Sequence, residues 1–154
     1  MFLKVKNLVK NYSSEFPIIK DLSFSVKKGE IISFLGESGS GKTTFVRELL
    51  SQIAKNKKVQ FRFQGSPSYQ KINTYVLKDL EILHFDLYNT NTDDKSDLED
   101  YLRDFCVIME WPTKSIKEIY KDKALFIDIS FKNDARIYSI HTENPKWQKV
   151  IKSI

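Results

Sequence analysis

The sequence predicts an α/β fold, a three-layer sandwich built on a mixed, mostly parallel sheet with some antiparallel strands. Three observations predict it. The β-branched run Ile31-Ile32-Ser33-Phe34-Leu35 passes through a glycine-rich loop into residues 44–54, where Phe45, Leu49 and Ile53 recur at four-residue spacing with Val46 and Leu50 beside them. Cys106-Val107-Ile108-Met109-Glu110 is a continuous apolar run ending in an acid, the pattern of a strand covered on both faces. Residues 125–129 and 136–140 flank Asn133-Asp134 and read as a closing β-hairpin.

The loop between the first strand and helix carries the chemistry. Four of the five glycines fall between Gly29 and Gly41, and three lie in Gly36-Glu37-Ser38-Gly39-Ser40-Gly41-Lys42-Thr43. This matches G-x-x-x-x-G-K-[ST], a loop whose backbone N–H groups form a concave nest at the positive end of a helix and hold the phosphates of a nucleotide. Strand, loop and helix occur in the required order, so the fold expected is that of a P-loop NTPase. In this reading the cradle runs from Gly36 through Thr44. Lys42 reaches the β- and γ-phosphates of ATP, and the Thr43 hydroxyl holds the bridging Mg2+. A lysine at a helix start opposes the helix dipole, an objection that a bound anion removes.

Elsewhere the pattern is mostly β. Residues 2–5 and 22–26 read as strands before a turn at Lys27-Lys28-Gly29-Glu30, with Leu22, Phe24 and Val26 on one side. Residues 59–63, 68–75 and 80–87 are rich in β-formers, and Gly65-Ser66-Pro67 separates the first two. Residues 93–105 read as a helix with a solvated acidic face, bearing Leu98, Tyr101, Leu102 and Phe105 at helical spacing. Pro145 opens a short last helix with Trp147, Val150 and Ile151 on one face.

Composition narrows the class. A chain of 154 residues, 41% hydrophobic with 11 Phe and 7 Tyr, predicts one ordered domain over residues 1–154, too short for most two-domain motor ATPases. No apolar run approaches the roughly 20 residues of a membrane span, and the start lacks a signal-peptide core, so the expectation is a cytoplasmic protein with no membrane partner. A single cysteine, Cys106, reads as a small core residue, and two histidines, His84 and His141, make no structural zinc cluster with it. The net charge of +5 is compatible with a nucleic acid or an acidic protein partner and specifies neither. Lys55, Lys57, Lys58 and Arg62 read first as a solvated helix end.

Phosphoryl transfer needs a carboxylate near the metal and a group to position water. Two strand ends supply candidates: Asp86 in His84-Phe85-Asp86-Leu87-Tyr88, and Glu110 before Trp111-Pro112. Ligands of open α/β sheets bind beyond the carboxyl ends of strands, where both acids would emerge. Taken singly, Asp86 also suits a turn and Glu110 a surface charge.

The loop followed by Thr44-Phe45, Ser66-Pro67-Ser68-Tyr69 with Tyr75, the block from His84 to Tyr88, and Glu110-Trp111-Pro112 resemble, in that order, the TsaE family of small bacterial ATPases of tRNA threonylcarbamoyladenosine synthesis. The resemblance covers roughly residues 31–140. It implies an ATPase acting with the TsaD and TsaB proteins, which carry out the transfer, and touching tRNA only indirectly through that complex. It also implies that Lys42 and Thr43 are the phosphate and Mg2+ residues, Asp86 a metal-shell carboxylate and Glu110 a second catalytic acid that also serves the metal. Trp111 becomes a neighbour of the nucleotide, a role that competes with that of a core aromatic, and residues 66–69 a switch-like loop over the γ-phosphate.

Two features depart from that family, which usually has Asp-Leu-Gly-Ala within the loop and Arg after the tyrosine of the aspartate block, where this chain has Glu37-Ser38-Gly39-Ser40 and Asn89. The loop and the segment before it, Leu8-Val9-Lys10-Asn11-Tyr12, residues 22–26 and Gly29-Glu30, look more like the start of an ABC transporter ATPase, which suggests that Tyr12 stacks on adenine, a role that competes with that of an ordinary strand or turn tyrosine. A complete ABC ATPase is not expected, because no Leu-Ser-Gly-Gly-Gln signature follows and Gly65 is the only glycine after Gly41. The alternative function is an ABC-like or other switch module that binds ATP and hydrolyses little of it alone.

Overall fold

The computed structural model describes residues 2–11, 17–67, 71–88, 95–132 and 135–151. Six strands form one sheet in the order β4-β5-β6-β3-β7-β8. β3 (Ile31–Gly36) lies inside it, parallel to β6 (Cys106–Glu110) on one side and to β7 (Ala124–Lys132) on the other. β5 (Leu80–Asp86) extends the parallel set beside β6, while β4 (Ile72–Leu77) and β8 (Ala135–His141) close the two edges antiparallel. The sheet is therefore mixed, with a parallel centre and antiparallel edges, as expected.

Period-two alternation along buried strands explains the layering. Ile32, Phe34, Ile82, Cys106, Ile108, Leu125 and Ile127 face one way and pack with Phe45, Val46, Leu49, Leu50 and Ile53 of α1 (Lys42–Lys57) and with Trp147 of α4 (Pro145–Ile151). Ile31, Leu83, Phe85, Val107, Met109 and Phe126 face the other way, against Leu98 and Leu102 of α2 (Lys95–Asp104) and Ile116 of α3 (Lys114–Ile119). The result is a helix–sheet–helix sandwich whose parallel strands all end at the same edge. Two further strands, β1 (Phe2–Asn11) and β2 (Pro17–Lys27), pair antiparallel as a separate sheet, β1 beside α1 and β2 beside β8 and α4.

Some expectations change. Residues 59–63 form no strand: Val59, Phe61 and Phe63 are half-buried against the α1-side core in a segment without regular secondary structure. Side chains tie its end to β4, where the Gln64 backbone N–H donates to the Tyr75 hydroxyl at 3.2 Å and Gln64 Nε2 donates to the Thr74 carbonyl at 2.9 Å. The strand expected over 68–75 begins only at Ile72, and residues 68–70 lie outside the described residues. The first strand continues past residue 5 to Asn11. α3 is an addition, capped by Thr113, whose side chain accepts from the Ile116 backbone N–H. Tyr12, Asn89, Asp93, Asn133 and Asp134, together with the side chains of Leu22, Phe24 and Val150, lie outside the described residues.

The remaining composition-level readings have a place. Cys106 is fully buried, and its thiol is pushed up to about 12 by burial, with Glu30 adding to the effect. Lys55 and Lys57 occupy the last turn of α1, where cations suit the helix dipole, and Lys57 pairs with Asp79 at 2.6 Å. No helix among the described residues is long and apolar enough to cross a membrane.

Candidate functional site

β3 ends at Gly36, and the chain turns there through a conformation only glycine accepts readily. Its φ is 138°, and a Cβ would stand 2.4 Å from the Ile129 carbonyl oxygen and 2.9 Å from Ser40 Oγ. The turn closes on α1 through Gly41, which caps the helix with φ 101° and brings no side-chain acceptor. The first turn of α1 carries no acidic residue either, so its leading N–H groups and positive dipole end face the loop without a side-chain anion of their own. These features fit a bound phosphate chain.

Lys42 curls back over the loop. Its ammonium donates to the carbonyls of Gly36 (2.7 Å) and Glu37 (2.8 Å) and to Ser40 Oγ (3.3 Å), and sits 3.8 Å from the centroid of the Trp111 ring. Burial lowers its pKa below the ordinary lysine value, against the opposing pull of Glu110, Asp86 and Asp128.

The two acids arrive as the strand-end argument requires. Asp86 is the last residue of β5 and Glu110 the last of β6, and they are register partners. Both sit on the α1 side of the sheet by the same parity that places Ile82 and Ile108 there. Both are buried, Asp86 at 4% and Glu110 at 1% exposure, which removes the reading of Glu110 as a surface charge. A buried carboxylate needs donors. Glu110 Oε2 accepts from Thr43 Oγ1 at 2.9 Å, and Oε1 faces His84 Nε2 at 2.8 Å. Asp86 Oδ2 accepts from Ser66 Oγ at 2.6 Å, and Oδ1 accepts from the Tyr88 backbone N–H at 2.9 Å.

Trp111 follows directly, in the left-handed region at φ 58°, a conformation that a bulky residue adopts only when its surroundings hold it there. Its backbone N–H donates to the Phe34 carbonyl at 3.3 Å, and its ring lies 4.9 Å from that of Tyr88. One cavity of about 400 Å³ gathers these groups: Ser38, Gly39, Gly41, Lys42, Thr43, Thr44, Ser66, Asp86, Tyr88, Glu110, Trp111 and Arg136 line it.

Of the residues singled out from sequence, those from Gly36 to Thr44 form the loop and helix start, and Asp86, Glu110 and Trp111 meet them at one opening. Two residues were missed. Arg136 of β8 donates from Nε to the Ser40 carbonyl at 2.9 Å, bracing the loop across a separation of 96 residues. His84 touches Glu110 from the neighbouring strand. Its position two residues before Asp86, hence on the same strand face, was the available signal.

The family model described as threonylcarbamoyl adenosine biosynthesis protein TsaE matches residues 10–138, most of the chain. The chain belongs to the TsaE family. The solved structure of YdiB from Bacillus subtilis superposes with a TM-score of 0.56 at 19% identity, over 80% of this chain and 75% of that one, and shares the fold. Among curated proteins, the phosphonates import ATP-binding protein PhnC of Fusobacterium nucleatum is 40% identical over 90 residues, 53% of this chain and 36% of that protein. A probable amino-acid ABC transporter ATP-binding protein of Haemophilus influenzae is 28% identical over 154 residues, 96% of this chain and 58% of its own length. The chain thus spans about a third to three-fifths of the length of these relatives. Their ATP-binding descriptions accord with the ABC-like character of the loop, while the TsaE match extends across both strand-end acids.

Proposed function

We propose that this chain is a P-loop ATPase of tRNA threonylcarbamoyladenosine synthesis that binds ATP with Mg2+ and hydrolyses it in a complex with TsaD and TsaB. It works as one nucleotide-binding unit, in the cytoplasm, and meets tRNA only through those partners. The observation that carries the reading is the convergence of Lys42, Thr43, Asp86 and Glu110 on one cavity at the positive end of α1. Family membership supports the pathway.

In this reading the loop amides and Lys42 hold the triphosphate, with the ammonium leaving the Gly36 and Glu37 carbonyls for phosphate oxygens. The Thr43 hydroxyl and the Asp86 and Glu110 carboxylates form a hard-oxygen donor set of the kind Mg2+ takes, and the described residues hold no cage of three or more acidic, histidine or cysteine ligands. Such a site would suit an ion shared with nucleotide phosphates, and the metal would supply charge neutralisation there. Glu110 accepts a hydrogen bond from the attacking water and orients it. The water oxygen bonds to the γ-phosphorus as the bond to the β–γ bridging oxygen breaks, and the proton ends on the released phosphate. Trp111 covers Lys42 and excludes bulk water. Tyr12→Ala should weaken ATP affinity if Tyr12 serves the adenine as the resemblance to ABC ATPases suggests.

The test is ATP turnover by the purified chain, with and without TsaD and TsaB. Turnover that rises at least tenfold in the complex is the expected result; equal turnover alone would point to a self-sufficient enzyme. A second reading, an ABC-like switch that binds ATP and hydrolyses little, is favoured by the ATP-binding relatives. It is the one to adopt if binding is tight and turnover stays negligible in every mixture.

A further inference from the structure

His84 is fully buried, flanked by aromatic rings and with the buried Asn73 of β4 as its register partner. The Phe63 ring lies against it with centroids 6.3 Å apart and planes 27° apart, the Tyr75 ring lies 6.5 Å away, and Phe63 and Tyr75 stack nearly parallel. Among the described residues the hydrogen bond of His84 is Nε2 to Glu110 Oε1 at 2.8 Å, and Nδ1 is buried without a hydrogen-bond partner there. A core that needed only volume here would be better served by an aliphatic side chain, because a buried polar atom left unpaired opposes folding. Nε2 is the ring nitrogen with a hydrogen-bond partner among the described residues.

A carboxylate accepts, so the proton sits on Nε2 and the bond runs from the ring to Glu110. Glu110 is then held at both oxygens, by His84 from β5 and by Thr43 from α1. Two donors from separate elements fix both the position of a carboxylate and the plane in which its lone pairs lie. The Phe63 and Tyr75 rings flank the imidazole.

We infer that His84 is a positioning residue for ATP hydrolysis: by donating Nε2–H to Glu110 Oε1 it holds that carboxylate in the plane and rotamer from which it addresses the reacting γ-phosphate. The inference rests on the hydrolytic reading above and assigns His84 no contact with nucleotide. His84 takes up no proton from water and forms no bond to substrate.

Glutamine places its amide N–H₂ where Nε2 stands, asparagine places it near Nδ1, and leucine supplies volume alone. For His84→Leu the expected result is a fall in kcat of at least tenfold with KM changed less than twofold, and for His84→Gln recovery to within about threefold of wild type. In a Glu110→Gln background the leucine substitution should have no further effect on kcat. Should the leucine variant fail to fold, the glutamine and asparagine variants carry the same contrast, glutamine active and asparagine not. Nitrogen-15 spectra of the chain without nucleotide give a readout independent of turnover: a slowly exchanging Nε2–H proton whose shift changes in Glu110→Ala. Glutamine no better than asparagine, a leucine effect that persists undiminished in Glu110→Gln, or a ring protonated only at Nδ1 would overturn the inference. Absence of turnover in the wild-type complex would instead sink the hydrolytic reading, and would leave the spectra to judge the Glu110 contact.

Discussion

Gly36 and Lys42 show how single residues trade stability against a site. At Gly36 a methyl group would enter the space of the Ile129 carbonyl at 2.4 Å, and the φ of 138° adds backbone strain of roughly 1–3 kcal/mol for any other residue. Gly36→Ala is expected to lower the urea midpoint by at least that equivalent, because the atom in the way is the backbone carbonyl oxygen of its β7 register partner; an unchanged midpoint would contradict this. Lys42 works in the other direction. A lysine held below its ordinary pKa binds its proton less well folded than unfolded, so the charged form opposes folding at neutral pH, and that penalty fades as the pH climbs toward 10.5. Lys42→Met should therefore keep or raise the thermal midpoint at pH 7, read by differential scanning calorimetry. At this scale, the residues of the loop were legible because their chemistry is local in the chain. Asp86 and Glu110 were legible because strand ends in such sheets face the ligand. Arg136 was not, since its partner lies 96 residues away, and His84 could be placed on the face of Asp86 by parity while its partner, 26 residues on, needed the strand pairing.

Elements tell a similar story about range. α1 could be read from its apolar stripe, and β6 from an uninterrupted apolar run, because each buries enough surface to impose a period on its own sequence. α3 has six residues and one buried side chain, Ile116, so it imposes none. What starts it is the Thr113 cap, and Thr113→Ala is expected to cost about 1 kcal/mol of global stability, measurable by denaturant unfolding. No loss would mean that packing alone holds α3. Residues 59–63 show the opposite error. They carry the alternation of a strand, and their apolar side chains do turn inward, but the α1-side core and the Tyr75 hydroxyl hold them without a backbone ladder. Periodicity reports burial, and it leaves open whether main-chain pairing accompanies it.

For the whole molecule, one sheet covered on both faces decides the pH behaviour. Burial pushes the Cys106 thiol up to about 12, and burial together with Glu99 pushes the Tyr120 hydroxyl up to about 12. Both are neutral folded and unfolded below about pH 9, so neither affects stability there. Above it the unfolded chain ionises first, and stability falls as the pH rises from about 9 toward 12. Urea midpoints should decline steadily across that range, with a shallower decline in Cys106→Ala; the same slope in the variant would show that the thiol is not buried as described. The same architecture brings the carboxyl ends of β3, β5 and β6 together, so a loop, two acids and one tryptophan far apart in sequence share a single opening.

The central claim is that this opening grips a triphosphate through the loop and Lys42. Isothermal titration calorimetry of the wild-type chain and Lys42→Met with ATP and Mg2+ tests it most directly. Saturable binding near one ATP per chain, weakened at least tenfold (about 1.4 kcal/mol) in the folded variant, is the predicted result. No binding by well-folded wild-type chain, alone or with TsaD and TsaB, or equal affinity in both proteins, would contradict it.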